Sequence, residues 1–209
     1  MIDSFSQDFF KKIFVSPVVK MLPEKVTPNQ LTLLAGCFGV LVIPLLYFRF
    51  SIIACIFIII SGYLDNLDGA LASSRRQITK IGALFDLTMD RLVEFSVILG
   101  LYLYSPDPRG FLCLLMLGSM LICITTFLGT GIFTLNDSEK SFKYSRGIIE
   151  RTETFILFIL LILLPEYFVI LSLLYTVLII ITACVRIKNF IKEEKIKNSQ
   201  HFAGNEEIL

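Results

Sequence analysis

Long apolar runs separated by short polar segments make up most of the chain. A helix needs about 20 mostly apolar residues to cross a bilayer, and the runs reach that length repeatedly. We predict six membrane spans, at about 30–48, 51–72, 82–104, 110–134, 148–164 and 167–185. Turn-forming residues such as Ser105-Pro106-Asp107-Pro108 fall between the runs. The pattern predicts an all-α, polytopic membrane protein with six transmembrane helices.

The two ends of the chain differ from the spans. Residues 5–22 mix Phe and Val with Lys11, Lys12 and Lys20, which predicts an amphipathic helix in the membrane surface, bent or interrupted at Pro17. The charged residues that follow the last span predict a tail that is helical at first and then frays. We therefore divide the chain into an amphipathic segment at 1–28, a six-helix domain at 29–190 and a charged cytoplasmic tail at 191–209.

Composition supports a membrane protein, and the placement of charge gives its orientation. Hydrophobic residues make up 55% of the chain, more than is usual in a soluble domain. On the predicted topology, sixteen of the 19 Lys and Arg lie on the side that holds both termini, two lie on the other side, and Arg91 lies within the third span. The positive-inside rule places the termini in the cytoplasm. We expect no nucleic-acid partner.

Two acidic pairs lie inside apolar runs, Asp65 with Asp68 and Asp86 with Asp90. Spacings of three and four residues place each pair on one face of its helix. If the turn between the two spans is short, the helices are antiparallel neighbours and the carboxylates converge in the cytoplasmic half of the membrane. Buried carboxylates need a partner, and only Arg91 is close by within the spans. A divalent cation, or a pair of them, is favoured over a salt-bridged cluster.

The residue types around the acids indicate which cation fits. Ligand sets made only of oxygen suit Mg²⁺ or Mn²⁺. The single His201 lies in the tail and the five cysteines are scattered, which disfavours zinc. The small residues Gly69, Ala72 and Gly82 flank the acids. They allow either close packing of helices or the approach of a ligand to the backbone.

The complete spacing resembles the motif of the CDP-alcohol phosphotransferase family, D-x2-D-G-x2-A-R-x8-G-x3-D-x3-D. Seven of its eight positions match between Asp65 and Asp90, and Ser73 stands where the family has Arg. Arg75 and Arg76 follow closely and either reach the same region or serve only as the positive flank of the span. Six spans, an amphipathic lead-in helix and the Thr-Pro-Asn sequence at 27–29 are also similar to that family.

The resemblance implies a reaction and a set of roles. A phosphatidyl-type group would pass from a CDP-linked lipid such as CDP-diacylglycerol to a hydroxyl acceptor, by displacement at the donor's β-phosphorus with release of CMP. Two divalent cations would hold the diphosphate, and Asp90 would take the proton from the acceptor hydroxyl. The implied metal ligands are Asp65, Asp68, Asp86 and Asp90, and the implied nucleotide-binding positions are Gly69, Ala72, Gly82 and Ser73.

Three basic residues are candidates for binding a phosphorylated acceptor. Arg151, in the segment Gly147 to Glu153, and Arg186, at the end of the sixth span, resemble acceptor-side arginines of the family. Each is alternatively an interfacial cation, and Lys140 is alternatively a solvated loop residue. The fourth span carries no Lys or Arg, unlike relatives that use inositol phosphate. The acceptor therefore stays open between glycerol phosphate, inositol phosphate and similar alcohols, and analogy predicts a homodimer.

Two other functions remain as alternatives. A cation transporter would use the four aspartates as a pathway, yet the outer halves of the spans, such as 52–60 and 96–102, are almost wholly apolar. A catalytically weak family member acting as a membrane scaffold is supported by Ser73 alone. Metal-dependent flux in proteoliposomes would distinguish the transporter, and turnover that depends on Asp90 would exclude the scaffold.

Overall fold

The computed structural model describes residues 15–136 and 151–206, with the side chains of all of these except 134–136, 151 and 197–206. The described residues form helices and turns, and no β-strand occurs among them. Most of the predicted amphipathic segment, including Lys11 and Lys12, lies outside the described residues. Lys140 also lies outside them.

Eight α-helices run along the described chain. They are α1 Ser16–Met21, α2 Pro28–Val40, α3 Val42–Tyr47, α4 Ser51–Ser74, α5 Lys80–Tyr104, α6 Pro106–Asn136, α7 Arg151–Leu163 and α8 Phe168–Glu206, with a 3₁₀ turn at Pro165–Tyr167 before the last. This all-α, polytopic architecture confirms the predicted fold class.

Four stretches among the described helices are long and apolar enough to cross a membrane, at Pro28–Tyr47, Ser51–Ser74, Pro106–Phe133 and Pro165–Ile196. Helix α5 has 25 residues, about 37 Å at 1.5 Å per residue, but it carries several charged residues. Helix α7 is apolar and has 13 residues. The count of six spans therefore stays a prediction.

Several helices begin, break or end at other residues than the predicted spans, for identifiable reasons. The first span is not one helix, because it breaks at Leu41 into α2 and α3. Pro44 has no N–H to bond with the carbonyl of Val40, four residues earlier. The fourth helix begins at Pro106 and not at 110, since proline is tolerated in a first turn. The last helix continues through the charged tail to Glu206, and Lys and Glu are good helix formers.

The chain divides into two compact units. The first extends through Gly110 and includes Phe158–Pro165, and the second consists of Phe111–Leu157 with Glu166–Leu209. In the second unit, the side chain of Tyr175 is fully buried. The acidic residues singled out by the sequence all lie in the first unit.

In the first unit, α2 approaches α5 at two glycines. A Cβ built at Gly36 would lie 2.7 Å from Sδ of Met89, and one built at Gly39 would lie 2.4 Å from Cγ2 of Val93. The flexible end of Met89 could move away from a side chain at position 36, but Val93 leaves no room for one at position 39. The backbone of α2 therefore contacts side chains of α5 along this face. The close approach fixes α2 against the helix that carries the second acidic pair.

Helix α1 packs against the C-terminal half of α4. Val15 is buried together with Leu31, Leu67 and Leu71, and hydrophobic side chains of α1 pack against this cluster. Pro17 lies in the first turn of α1, where proline is tolerated. Whether it bends or interrupts the predicted helix of 5–22 stays a prediction, because residues before 15 lie outside the described part of the chain. The predicted interfacial helix is thus attached to the helix bearing the first acidic pair.

The loop between α1 and α2 is fastened to the end of α4 by Arg75. The Arg75 guanidinium donates hydrogen bonds of 2.6 to 3.3 Å to the backbone carbonyls of Leu22, Pro23, Glu24 and Val26. A guanidinium offers five N–H donors in a fixed fork, which suits several carbonyls at once. The loop's course is therefore set by a side chain some fifty residues further along the chain.

Candidate active site

Three of the four predicted acids converge at one place. Carboxylate oxygens of Asp65 and Asp68 on α4 and of Asp86 on α5 all lie within 4.8 Å of one another. Asp68 is buried, with 5% of its surface exposed, and the other two are half-buried. The two helices therefore bring their acidic faces together, as the spacing of the acids predicted.

A tight connection between α4 and α5 produces this convergence. Arg76 has φ 54, in the left-handed region, directly after α4 ends. The N–H of Gln77 bonds to the carbonyl of Ala72 at 2.9 Å and that of Arg76 to the carbonyl of Ser73 at 3.3 Å, as in a Schellman cap. The Thr79 side chain then caps α5 by accepting from Gly82 N at 3.0 Å. The chain reverses within a few residues and the helices become neighbours.

The donor set fits a divalent cation. Carboxylate oxygens are the ligands that Mg²⁺ and Mn²⁺ prefer. Two oxygens on one Mg²⁺ lie at most about 4.2 Å apart, so oxygens within 4.8 Å need only a small side-chain adjustment to share an ion. Arg91, the nearby cation that could have formed a structural ion pair instead, pairs with Glu94 at 2.6 Å.

Asp90 is not among the three clustered acids. It lies one helical turn beyond Asp86 on α5 and is half-buried. One carboxylate oxygen of each of these two residues is shielded from solvent. Asp90 thus borders the cluster along the same helix face, at a position suited to a group that acts beside the bound cation.

A hydroxyl group that the sequence analysis missed contacts the cluster. Thr32 Oγ1 on α2 donates a hydrogen bond of 2.5 Å to Oδ2 of Asp68. Thr32 is buried at 4% exposure. The sequence did contain a sign of this role, since Thr32 is a polar residue in an apolar span, one turn after the Thr-Pro-Asn sequence. Local spacing could not predict its partner, because that partner lies on another helix.

The small residues of the motif differ in how much space surrounds them. A Cβ built at Gly69 would meet nothing within 4 Å, so the backbone there is open to a ligand. At Gly82 a Cβ would lie 3.0 Å from Oγ1 of Thr79 and 3.3 Å from Oδ1 of Asn29, which indicates packing. Ala72 is half-buried, and Ser73 is exposed near the end of α4.

The two arginines after α4 differ in their contacts. Arg75 is engaged with the backbone carbonyls of the loop between α1 and α2. Arg76 is exposed and forms the turn. The structure therefore gives Arg75 a structural role at the C-terminal end of α4.

Of the three acceptor candidates, the described side chains include Arg186 alone. It lies on α8 in the second unit, at 7% exposure. Its Nη1 donates to the carbonyl of Cys123 at 3.1 Å, and its Cζ lies 5.1 Å from the ring centre of Phe127. This burial argues against the alternative of a snorkelling interfacial cation. Arg151 begins α7 and Lys140 lies outside the described residues.

Comparison with known proteins decides the family. The sequence profile of the family described as CDP-alcohol phosphatidyltransferase matches residues 25–187, which include every motif position discussed above. The chain belongs to this family. It is accordingly a CDP-alcohol phosphotransferase and an integral membrane protein.

Individual relatives agree with this assignment. The chain is 34% identical to the Escherichia coli "Inner membrane protein YnjF" over 68% of this chain and 72% of that one. It is 30% identical to the phosphatidylinositol phosphate synthase of Corynebacterium glutamicum over 69% of this chain and 67% of that one.

Solved structures show the same fold. Phosphatidylinositol phosphate synthase of Mycobacterium tuberculosis with CDP-DAG bound gives a TM-score of 0.69 at 20% identity, covering 85% of this chain and 93% of that one. The same protein in complex with manganese and citrate gives a TM-score of 0.71 at 21% identity, covering 85% of this chain and 88% of that one.

Proposed function

We propose that this enzyme transfers a phosphatidyl-type group from a CDP-linked lipid, such as CDP-diacylglycerol, to the hydroxyl of a polar acceptor and releases CMP. The observation that carries the proposal is the convergence of Asp65, Asp68 and Asp86 from two helices of a family member. A lipid-linked donor explains why the acids lie on helices that are embedded in the membrane and not in an aqueous loop.

The three clustered carboxylates are proposed to hold Mg²⁺ or Mn²⁺, and two ions are proposed because Asp90 lies one helical turn from Asp86 on the same face of α5. Divalent cations bound there would offset the charge of the donor's diphosphate and of the transition state. The M. tuberculosis relative was solved with manganese, which supports this choice of metal. Gly69 leaves the adjoining backbone open, so we propose that the nucleotide passes there.

Asp90 is proposed as the general base that takes the proton from the acceptor hydroxyl. Its carboxylate lies one turn from Asp86 and is partly shielded from solvent, so it faces the same region as the metal ligands. Positioning and electrostatic stabilisation are proposed to supply most of the rate in this displacement.

The acceptor is proposed to be a phosphorylated polyol. Arg186 is buried and presents a planar fork suited to phosphate. Relatives named phosphatidylinositol phosphate synthase favour inositol phosphate, whereas the absence of Lys and Arg from 110–134 leaves glycerol phosphate as the second candidate. Arg151 and Lys140 are proposed to assist.

The remaining predictions concern the whole protein. We propose that residues 29–190 form the catalytic domain, that the termini and the site face the cytoplasm, and that the enzyme is a homodimer by analogy with the family. The distribution of Lys and Arg supports the orientation.

Purified enzyme tests the proposal through CMP release. CDP-diacylglycerol is supplied with Mg²⁺ or Mn²⁺ and, in turn, inositol phosphate, glycerol phosphate, serine or phosphatidylglycerol. We expect release with a phosphorylated polyol, and loss of it on chelation or in Asp68→Asn. Asp107→Asn, the same change at an exposed acid in the first turn of α6, is the matched control and should keep full activity. No CMP from any acceptor would overturn the proposal and favour the scaffold alternative.

A further inference from the structure

We propose that Thr32 is a positioning residue for the metal site, and that it acts by holding the carboxylate of Asp68 in the orientation that binds the cation. This inference deepens the proposed function and rests on it. The juxtaposition that carries it is a buried hydroxyl on α2, a helix without an acid of its own in the cluster, bonded to the most buried acid on α4.

The hydroxyl of Thr32 has two possible acceptors and one hydrogen. Its Oγ1 lies 3.1 Å from the carbonyl oxygen of Pro28 and 2.5 Å from Oδ2 of Asp68. A hydrogen bond to an ionised carboxylate is roughly twice as strong as one between neutral groups. The hydrogen therefore goes to Asp68, and the ordinary bond from Thr to the carbonyl four residues earlier is given up.

This bond leaves Asp68 able to bind a cation. An ionised carboxylate has about four lone-pair sites, and donation from Thr32 to Oδ2 occupies only one of them. The bond also limits rotation of the carboxylate, which otherwise has a broad, roughly two-fold torsion. Fixing that rotation keeps Asp68 directed at the oxygens of Asp65 and Asp86 when no cation offsets their mutual repulsion.

Helix α2 is held firmly enough to serve as this support. The packing of Gly36 against Met89 and of Gly39 against Val93 fixes it to α5. Ser61 Oγ on α4 donates to the carbonyl of Ala35 on α2 at 2.8 Å and is fully buried. Thr32 is therefore located by contacts to both helices that carry the acids, as a supporting residue must be.

Mn²⁺ binding tests the inference without depending on turnover. The Mn²⁺ affinity of purified protein is measured by electron paramagnetic resonance of free Mn²⁺, in the absence of donor lipid. Partners that orient metal ligands are worth about 10- to 100-fold in affinity, so Thr32→Val should weaken binding by about 10-fold or more. Thr32→Ser, which keeps the hydroxyl, should bind nearly as wild type. In turnover assays the activation constant for Mn²⁺ should rise while the rate at saturating Mn²⁺ recovers.

Ser61→Ala is the matched control. It removes a buried hydroxyl that also joins α2 to α4, but its partner is a backbone carbonyl. It should lower the unfolding temperature much as Thr32→Val does, while Mn²⁺ affinity stays close to wild type, because the packing of Gly36 and Gly39 against α5 still holds α2 in place. Thr32→Ala is measured alongside, so that poor folding of the valine variant does not end the comparison.

The outcomes separate the two proposals. If Thr32→Val binds Mn²⁺ as wild type does, or Ser61→Ala weakens binding equally, the positioning role is overturned while the proposed function stands. If wild-type protein does not bind Mn²⁺, the metal-dependent function is overturned and the role of Thr32 with it.

Discussion

Replacing Gly39 with alanine tests how closely α2 must approach α5. The added Cβ would lie 2.4 Å from Cγ2 of Val93 and 2.9 Å from both Cβ and Cγ1 of that residue, whereas ordinary contact begins near 3.4 Å. Val93 has 2% of its surface exposed and is β-branched, so it has one strongly preferred rotamer in a helix. The helices would therefore have to separate by about 1 Å to relieve the overpacking.

A second glycine-to-alanine substitution, at a position with free space, separates the cost of overpacking from the gain in helix propensity. Overpacking a core costs about 1–3 kcal/mol, and alanine gains about 0.8–1.0 kcal/mol over glycine within a helix. At Gly118, on α6, an added Cβ would meet nothing within 4 Å. Gly118→Ala thus gains the propensity alone, and the difference in unfolding free energy between the two variants should be about 1–3 kcal/mol.

Unfolding of the purified protein in detergent, followed by circular dichroism because the chain has no tryptophan, measures this difference. Gly39 lies two turns beyond Thr32 on α2, so the same displacement should weaken Mn²⁺ binding. The double variant Gly39→Ala with Val93→Ala should recover part of the loss, since it removes both Cγ atoms that clash. Equal stability of the Gly39 and Gly118 variants would refute the reasoning.

Two further substitutions test other contacts. Arg75→Gln should release the loop between α1 and α2, since bonds from a charged donor are worth about 1.5–3 kcal/mol each when fully formed. Trypsin cleavage after Lys25, followed by mass spectrometry, should therefore become faster. Arg76→Gln should leave the cleavage rate unchanged. Arg186→Lys keeps a cationic side chain but loses the planar fork, so the KM for a phosphorylated acceptor should rise by about 10-fold. The kcat and the KM for the donor should change little. An unchanged acceptor KM would show that Arg186 does not bind the acceptor.

The acidic cluster was the most predictable part of the protein. Asp65, Asp68 and Asp86 are costly in an apolar setting, and their spacing places them on facing surfaces of two consecutive helices. Local periodicity is enough to predict such an arrangement when the connection between the helices is short. The all-α class followed from the length of the apolar runs in the same way.

Contacts between helices distant in sequence were not predictable. The bond from Thr32 to Asp68 spans 36 residues, and Arg75 bonds to carbonyls about fifty residues earlier. Hydropathy describes how apolar a segment is and does not describe which residue of another helix it meets. The break at Leu41 was missed because Pro44 lies in an uninterrupted apolar run, where length alone predicted a continuous helix.

The attachment made by Arg75 has a consequence for how this protein can vary. Every amino acid presents the same main-chain oxygen, so a guanidinium that bonds to main-chain oxygens does not recognise side-chain identity. Pro23, Glu24 and Lys25 project outward and are exposed. Substitutions at these three positions should therefore leave the path of the backbone unchanged, whereas a substitution of Arg75, about fifty residues later in the sequence, should alter it.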